Sequence, residues 1–376
     1  MRSGKTLRAA AVLMAAALAL AACGDPALDR DAYHAADPVD DIPPVKPVDL
    51  RKLIWPDKDY IGLAYDGTID SGLERRKAFG DLVGRPHNLL KYFEEFGGDF
   101  KDEENKRIWD AGALPFADVE PYDGTLRDFA DGKYDADIRR YAAEVKAANI
   151  PVAYSWGHEM NGWWYPWGYC SDSGHLEKDG SEKSEDDLGD ACKDESKENT
   201  PEDFVDAWKH IHDVFTETGV GNVIWVWSPN TAQGDGLPPV KKFYPGDEYV
   251  DWIGVSGYMY KDKDNPADRS NIFMGVFGDL YKELRAFTEK PIVIAETGST
   301  ADKAKANDVH RLLKGSVRFK DILGYVWFDV KKVEFGNETD FRVEARADAV
   351  KRYRKDLTTP WGQKLGFDPE QLINDD

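Results

Sequence analysis

The sequence predicts an α/β protein, a (β/α)8 TIM barrel that forms a single catalytic domain. Eight short apolar or aromatic runs lie between Tyr60 and Phe328, and each is bounded by Gly, Pro or Asn. Longer segments with apolar residues at i, i+3 and i+4 alternate with these runs, which is the spacing of helices. Eight strand–helix units over roughly 310 residues favour a closed barrel. The second unit is the least distinct, so a doubly wound parallel sheet is the alternative.

Strands and helices can be assigned to particular segments. The predicted strands are Tyr60–Tyr65, His87–Phe93, Leu114–Val119, Val152–Trp156, Val223–Trp227, Trp252–Val255, Ile292–Ala295 and Leu323–Phe328. The clearest helices are Asp135–Ala148, Pro201–Thr218, Phe273–Thr288 and Lys303–Lys314. Pro201 suits the first turn of a helix, and the acids after it complement the helix dipole. Because a barrel carries its active site at the C-terminal ends of its strands, the residues that end these runs are the functional candidates.

The N-terminal residues predict export rather than a part of the fold. A basic start precedes an apolar run, Ala9–Ala22, that is too short to span a bilayer comfortably. Its ending, Leu20–Cys23, resembles a bacterial lipoprotein box and implies lipidation of Cys23; ordinary secretion with cleavage nearby is the alternative. The chain then divides into a signal peptide (1–22), a Pro- and Asp-rich tether (23–48) and the barrel domain (49–376). We expect a cell-surface lipoprotein or an extracellular protein.

Charge and cysteine content limit the partners. A net charge of −21 argues against nucleic acid and fits a neutral or cationic partner. We expect a monomer that meets the membrane only through its anchor.

Cys170 and Cys192 predict a disulfide in an exported protein, with two free thiols as the alternative. They flank most of an acidic insertion, residues 171–200, with 11 acidic and 4 basic residues. Its spacing does not favour a calcium loop, so neither a metal nor a cofactor is predicted.

Two strand ends carry carboxylic acids in unusual settings. The fourth strand leads into GHEMNGWWYPWG, where Glu159 lies among His158, Asn161 and several aromatic residues. The seventh strand, PIVIAETGS, ends in Glu296. A helix cap at the first position and a structural salt bridge at the second are the alternatives. A charged residue that closes a buried strand is costly unless it is paired or functional. Glycosidic cleavage uses two such carboxyl groups, one to protonate the leaving oxygen and one to attack or to activate water.

The motif HEMNGWWYPWG resembles the acid/base motif of glycoside hydrolase family 26. The resemblance extends over roughly residues 58–348 and includes further motifs in the family's order. These motifs are GALPFADVEP, GKYDADIRRYA, VIWVWSPN, FYPGDEYVDWIGVSGY, PIVIAETGS and GYVWFDV followed by TDFRV. The resemblance implies a TIM barrel and a retaining double displacement without a cofactor. It also implies endo-action on a β-linked polysaccharide, either β-mannan or mixed-linkage β-1,3-1,4-glucan.

The resemblance also implies roles for individual residues. Glu159 becomes the general acid/base and Glu296 the nucleophile. His158 positions the acid or touches the sugar, and Tyr258 hydrogen-bonds and orients the nucleophile. The remaining substrate-binding candidates are two stacking faces, a polar residue of the motif and an acid at the end of the third strand: Trp164, Trp327, Asn161 and Glu120. For Glu120, a helix-capping role is equally compatible with the sequence.

Departures from the family pattern leave the substrate open. Met160, Tyr165 and Pro166 in the fourth-strand motif, and Phe328 where mannanases often carry arginine, favour the glucanase-like branch. Ser155 stands where relatives tend to carry arginine, which implies a changed subsite or a weakened enzyme. The competing hypothesis is therefore a non-catalytic or weakly active glycan-binding lipoprotein. The presence of both glutamates favours the enzyme.

Overall fold

The computed structural model describes residues 49–70, 73–169, 199–231, 237–259, 273–334 and 337–374. The signal peptide, the tether with Cys23, the two further cysteines, Cys170 and Cys192, and nearly all of the acidic insertion lie outside the described residues. These expectations therefore stay predictions. Among the helices that the structure describes, none is both long and apolar enough to cross a membrane.

Eight parallel strands close into a barrel in sequence order, β1 pairing with β8. The strands are β1 Tyr60–Ala64, β2 Leu89–Glu95, β3 Leu114–Glu120, β4 Val152–Trp156, β5 Val223–Trp227, β6 Trp252–Ser256, β7 Ile292–Thr297 and β8 Ile322–Phe328. The predicted barrel is confirmed, and the doubly wound sheet is wrong. The weakly signalled second unit is present, because β2 pairs with β3 over seven residues.

Helices surround the barrel. Their bounds are α1 Arg51–Ile54, α2 Glu74–Val83, α3 Asp102–Asp110, α4 Leu126–Ala130, α5 Asp135–Ala148, α6 Pro201–Thr218, α7 Phe273–Val276, α8 Gly278–Arg285, α9 Lys305–Ser316, α10 Ala347–Leu357 and α11 Pro369–Asn374. The bounds of α5 and α6 agree with the prediction. Thr200 and Asp203 form a capping box at the start of α6, each side chain bonding the other's backbone N–H at 3.1 Å.

The predicted elements deviate at a few ends. His87 precedes β2 instead of starting it, because the Asn88 side chain already accepts the Ile61 N–H at 2.8 Å in place of a strand carbonyl. The predicted helix Phe273–Thr288 is divided into α7 and α8. Beyond β8 the chain forms a short antiparallel hairpin, β9 Lys331–Glu334 and β10 Asn337–Asp340, at the end of the barrel where the candidate residues lie.

The seam between β1 and β8 requires close backbone approach. Gly324 has φ +131°, and a Cβ built there would lie 2.0 Å from the carbonyl oxygen of Tyr60. Only glycine suits this position, because it tolerates that dihedral and has no Cβ to collide with the carbonyl oxygen. The closure of the barrel, and hence the mutual placement of all eight strand ends, depends on this contact.

Candidate active site

A tight turn after β4 directs Glu159 toward the barrel mouth. All five residues of β4 are buried, and the chain leaves the strand through Gly157 at φ +58° and Glu159 at φ +56°. The Glu159 N–H donates to the Ser228 carbonyl at 2.7 Å, which ties the turn to the end of β5. A glutamate in the left-handed region is unusual, and such conformations concentrate at functional sites. The backbone therefore holds this carboxylic acid in a defined position.

Aromatic side chains of the same loop support the turn. Trp167 donates its indole N–H to the His158 carbonyl at 2.7 Å. Tyr165 stacks on Trp167 with ring centroids 4.4 Å apart and planes within 7°. The His158 ring meets the Tyr165 ring edge-on at 4.8 Å. Trp167 thus packs under the turn, and Tyr165, which stacks on it, also lines the cavity.

Glu159 receives a hydrogen bond on each carboxyl oxygen. The Trp164 indole N–H donates to Oε2 at 2.7 Å, and the Asn230 side-chain amide donates to Oε1 at 2.8 Å. Asn161 fixes Asn230 in turn, donating to its carbonyl at 2.9 Å and accepting its N–H at 2.8 Å. Trp164 and Asn161, both predicted to contact substrate, therefore hold the proposed acid directly or through one neighbour.

Glu296 lies at the end of β7 among polar partners. Its carbonyl accepts the Gly257 N–H at 3.0 Å, and the residue as a whole is 7% exposed. The Tyr258 hydroxyl donates to Oε1, and the Lys91 ammonium contacts Oε2 at 3.1 Å. Both oxygens are therefore bound by groups that stabilise a carboxylate.

A chain of buried charges runs beneath the two glutamates. Lys91, in the middle of β2, is fully buried and lies 2.8 Å from Oδ2 of Asp118 on β3. The other oxygen of Asp118 lies 3.3 Å from Nδ1 of His158. Burial opposes charge on His158, yet Asp118 outweighs it and raises the pKa of His158 to about 9. Two cations and two anions thus alternate in the order His158, Asp118, Lys91, Glu296.

The surroundings shift the pKa values of the two glutamates in opposite directions. Burial raises the pKa of Glu159, and the negative charge of Glu296 raises it further. Burial also acts to raise the pKa of Glu296, but Lys91 outweighs it, together with His158 and the Tyr258 hydroxyl, and the pKa is lowered. The arrangement therefore favours the protonated form of Glu159 beside the ionised form of Glu296. One carboxylic acid and one carboxylate in a single site are what glycosidic cleavage requires.

An open cavity of about 290 Å³ reaches Glu296, a volume at the lower end of small-molecule sites. Strand ends and the loops after them contribute aromatic and acidic groups to it, including Tyr65, Asp70, Phe93, Glu120, Tyr165 and Phe328. Flat apolar rings beside hydrogen-bonding groups suit a sugar ring, which has apolar faces and a polar edge.

Glu120 ends β3 and lines this cavity. Burial raises its pKa to about 7. The helix-capping alternative for Glu120 is wrong, because Thr125 caps α4 and forms a capping box with Asp128. The structure therefore places a further carboxyl group, besides Glu159 and Glu296, at the end of a barrel strand.

Trp327 does not provide the stacking face predicted for it. Its side chain is 1% exposed, and its indole N–H donates to the Phe341 carbonyl at 3.0 Å. Side chains alternate in direction along a strand, so the next residue, Phe328, lines the cavity instead. Ser155 is also buried, opposite Asp118 across the sheet, with its hydroxyl 3.2 Å from the Ser228 hydroxyl.

Sequence reasoning missed Lys91, Asp118 and Asn230. The first two had a usable signal, since each is a charged residue inside an otherwise apolar strand run. Asn230 follows β5 in the motif VIWVWSPN, at a strand end like the residues that were identified. In the part of the chain that the structure describes, no three His, Cys, Asp or Glu side chains are grouped so that they could hold a metal ion.

Comparison with known proteins points to one family. The sequence model of glycosyl hydrolase family 26 matches residues 132–307, a stretch that contains both Glu159 and Glu296. The chain is 29% identical over 287 residues to Endoglucanase H of Acetivibrio thermocellus, an alignment that covers 74% of this chain and 28% of the relative. It is 28% identical over 160 residues to a mannan endo-1,4-beta-mannosidase of Bacillus subtilis, covering 42% of this chain and 34% of the relative.

These alignments leave most of each relative unmatched, because the chain spans about a quarter to a third of their lengths. Among solved structures, GH26C from a Muricauda species superimposes with a TM-score of 0.57 at 14% identity. That superposition covers 85% of this chain and 91% of the other. At such low identity it supports the barrel fold alone.

Proposed function

We propose that the chain is a retaining, endo-acting glycosidase of glycoside hydrolase family 26, and that it cleaves a β-1,4-mannan or a mixed-linkage β-1,3-1,4-glucan. The observation that carries the proposal is the pair Glu159 and Glu296, both buried at the barrel mouth with pKa values shifted in opposite directions. A shared environment that separates the pKa values of two carboxyl groups in this way supports the proposal that Glu159 is the acid and Glu296 the nucleophile.

In the first half of the reaction, ionised Glu296 attacks the anomeric carbon while protonated Glu159 gives its proton to the departing glycosidic oxygen. The bond from Glu296 to the sugar forms as the glycosidic bond breaks. Tyr258 and Lys91 orient the attacking carboxylate, and Trp164 and Asn230 orient the acid. Holding the reacting groups in position in advance lowers the entropic cost of the step.

In the second half, Glu159 acts as a base. Formation of the glycosyl ester removes the negative charge of Glu296, and that charge is one of the causes that raise the pKa of Glu159. The pKa of Glu159 therefore falls at this stage, and its carboxylate can take a proton from the water that attacks the ester. Release of the sugar with its original configuration restores both groups.

A glucan is the first substrate to test. The alignment with Endoglucanase H extends over 287 residues, against 160 for the mannosidase, and the fourth-strand motif reads HEMNG with YPWG following. Phe328 lines the cavity. A charged side chain at this position would offer hydrogen bonds to the sugar, which a phenyl ring does not. An aromatic ring there favours stacking against the sugar.

The test is reducing-sugar release from mixed-linkage β-glucan, glucomannan and galactomannan by the wild type and by Glu296→Ala. We expect release from at least one polysaccharide and a loss of about 10⁴-fold or more in the variant, since the nucleophile is absent. Glu103→Ala, which removes an exposed carboxylate on α3, is the matched control and should keep wild-type activity. Binding without release by the wild type on all three polysaccharides would support the non-catalytic glycan-binding lipoprotein instead.

Azide rescue distinguishes the roles of the two glutamates. In Glu296→Ala, azide replaces the missing nucleophile in one displacement and should give the α-glycosyl azide. In Glu159→Ala, azide attacks the glycosyl ester after a first inversion and should give the β-glycosyl azide. Proton NMR of the products separates the two anomers, and an exchange of the two outcomes would reverse the assignment of acid and nucleophile.

We also propose that the protein is exported and anchored through Cys23. The lipoprotein box after the apolar run Ala9–Ala22 supports this proposal. A surface anchor would hold the barrel beside large polysaccharides that cannot enter the cell. Metabolic labelling with a palmitate analogue tests it, with Cys23→Ser as the unlabelled control.

A further inference from the structure

We infer that Lys91 is a positioning residue for the nucleophile: clamped between Asp118 and Glu296, its ammonium fixes the Glu296 carboxylate and holds it in the ionised form. This inference rests on the proposed function, in which Glu296 attacks the sugar. It assigns a role to a side chain that lies in the middle of a strand, below the residues at the strand ends.

The position of Lys91 does not suit an ordinary structural lysine. Its side chain is fully buried inside the barrel, and its ammonium lies 4.6 Å from the centre of the Phe93 ring and 5.4 Å from that of Phe116. Lysine is among the residues least often buried, because its ammonium loses hydration. A buried ammonium requires compensation, and here two carboxylates provide it at 2.8 and 3.1 Å.

The two carboxylates have different tasks. Asp118 is fully buried and lies away from the cavity lining, and its other oxygen faces His158. It therefore anchors Lys91 on the neighbouring strand whether or not a sugar is bound. Glu296 is the partner that changes charge during the reaction, since formation of the glycosyl ester neutralises it. The Asp118 carboxylate then still pairs with Lys91, so the ammonium remains compensated at each stage.

Other charged and titratable groups also face Glu296, and Lys91 must be weighed against them. Asp118 and Glu120 come from β3, His158 and Glu159 from the loop after β4, and Tyr258 from the loop after β6. The three acids favour the protonated form of Glu296. Lys91 is the cation that contacts its carboxylate directly, and its effect precedes that of His158 among the causes that lower the pKa. Removal of its charge should therefore raise the pKa of Glu296.

The experiment compares Lys91→Gln, Lys91→Arg and Lys305→Gln in the full chain. Glutamine keeps hydrogen-bonding capacity without charge, and arginine keeps the charge. Lys305 is the matched control, because it is equally buried but donates to the carbonyls of Ser299 and Phe341 rather than to a carboxylate. Thermal unfolding of each variant separates loss of folding from loss of function.

In Lys91→Gln we expect the acid limb of the kcat/KM profile to move up by about 1 to 3 pH units, the range for removal of an adjacent opposite charge. We expect kcat to fall and KM to change little, because Lys91 does not touch the sugar. An aryl glycoside with a good leaving group needs no help from the acid Glu159. The loss of kcat should persist with this substrate, because the substitution impairs the nucleophile and not the acid. Lys91→Arg should keep the acid limb near its original position, and Lys305→Gln should leave it in place.

A direct measurement of the pKa of Glu296 tests the inference without turnover, so the substrate need not be known. Carbon-13 NMR of glutamate carboxyl groups follows the titration of Glu296, assigned from the signal lost in Glu296→Gln. A higher pKa of Glu296 in Lys91→Gln supports the inference, and an unchanged pKa in a folded variant overturns it. An inactive wild type in which Lys91→Gln still raises this pKa would contradict the proposed function alone. An active wild type in which it does not would contradict the inference alone.

Discussion

Glu159 and Glu296 share one side-chain chemistry and nearly the same burial, at 6% and 7% exposed, yet their pKa values are shifted in opposite directions. The difference arises from what each carboxyl group contacts. Two uncharged N–H donors bind Glu159, whereas an ammonium and a hydroxyl bind Glu296. Both carboxyl groups are buried, so these contacts are weakly screened and decide which acid keeps its proton.

Trp164→Phe tests this account at the acid. The indole N–H stabilises the carboxylate form of Glu159, so its removal should raise the pKa of Glu159 still further. Activity requires protonated Glu159 and is lost as pH rises through that pKa. The alkaline limb of kcat/KM should therefore move up, by about one pH unit for one hydrogen bond to a charged group.

The matched control for this prediction is Trp163→Phe. Trp163 packs edge-on against Trp164, with ring centroids 5.5 Å apart, so the control substitution removes a similar indole from the same loop. This variant should leave the alkaline limb in place. A limb that moves equally in both variants would attribute the effect to loop packing rather than to the hydrogen bond.

At the scale of elements, the site depends on how each strand ends. The chain leaves β4 through two left-handed residues, and the loop after them both packs beneath Glu159 and bonds to it. Elements β2 and β3 contribute through their interiors instead, since Lys91 and Asp118 point into the barrel below the strand ends. The candidate site therefore has an upper layer from loops and a lower layer of charge from strands.

Gly157→Ala tests the turn after β4. A Cβ at φ +58° costs about 1 to 2 kcal/mol, and it would lie 3.3 Å from both Phe204 and Trp167. The free energy of unfolding should fall by about that amount, as measured by urea denaturation. We also expect kcat to fall at least about tenfold in the folded variant, because small displacements of a catalytic group are costly.

The comparison for Gly157→Ala is Gly221→Ala, in the loop before β5. A Cβ added at Gly221 would have no atom within 4 Å, so this variant should retain both stability and kcat. If Gly157→Ala loses stability but keeps full kcat, the turn supports the fold without positioning Glu159.

At the scale of the whole molecule, closure of the barrel brings β4 and β7 to one mouth although Glu159 and Glu296 are distant in sequence. The seam between β1 and β8 completes that closure, and it contains the close contact between Gly324 and the Tyr60 carbonyl. Strain at the seam is therefore expected to weaken the whole barrel and not a local segment.

Gly324→Ala should destabilise the protein on the order of 3 kcal/mol or prevent folding, since it combines a disfavoured dihedral with overpacking. Soluble yield and the midpoint of thermal unfolding measure the effect. Gly98→Ala is the control, because Gly98 is exposed and the nearest atom to its built Cβ is 3.6 Å away. A Gly324→Ala variant as stable as this control would show that the seam can relax.

The sequence by itself determined the alternation of eight strands with helices, because apolar runs and helical spacing are local patterns that each segment carries, whereas closure into a barrel was decided by the tertiary structure. It also identified Glu159, His158 and Glu296, since a polar residue that ends a buried strand is visible in the chain. Only the tertiary structure decided which way Trp327 faces and that Lys91 reaches Glu296. The physical reason is that side-chain direction and charge pairing depend on register between strands that are far apart in sequence. The opposite pKa shifts of the two glutamates follow from those contacts.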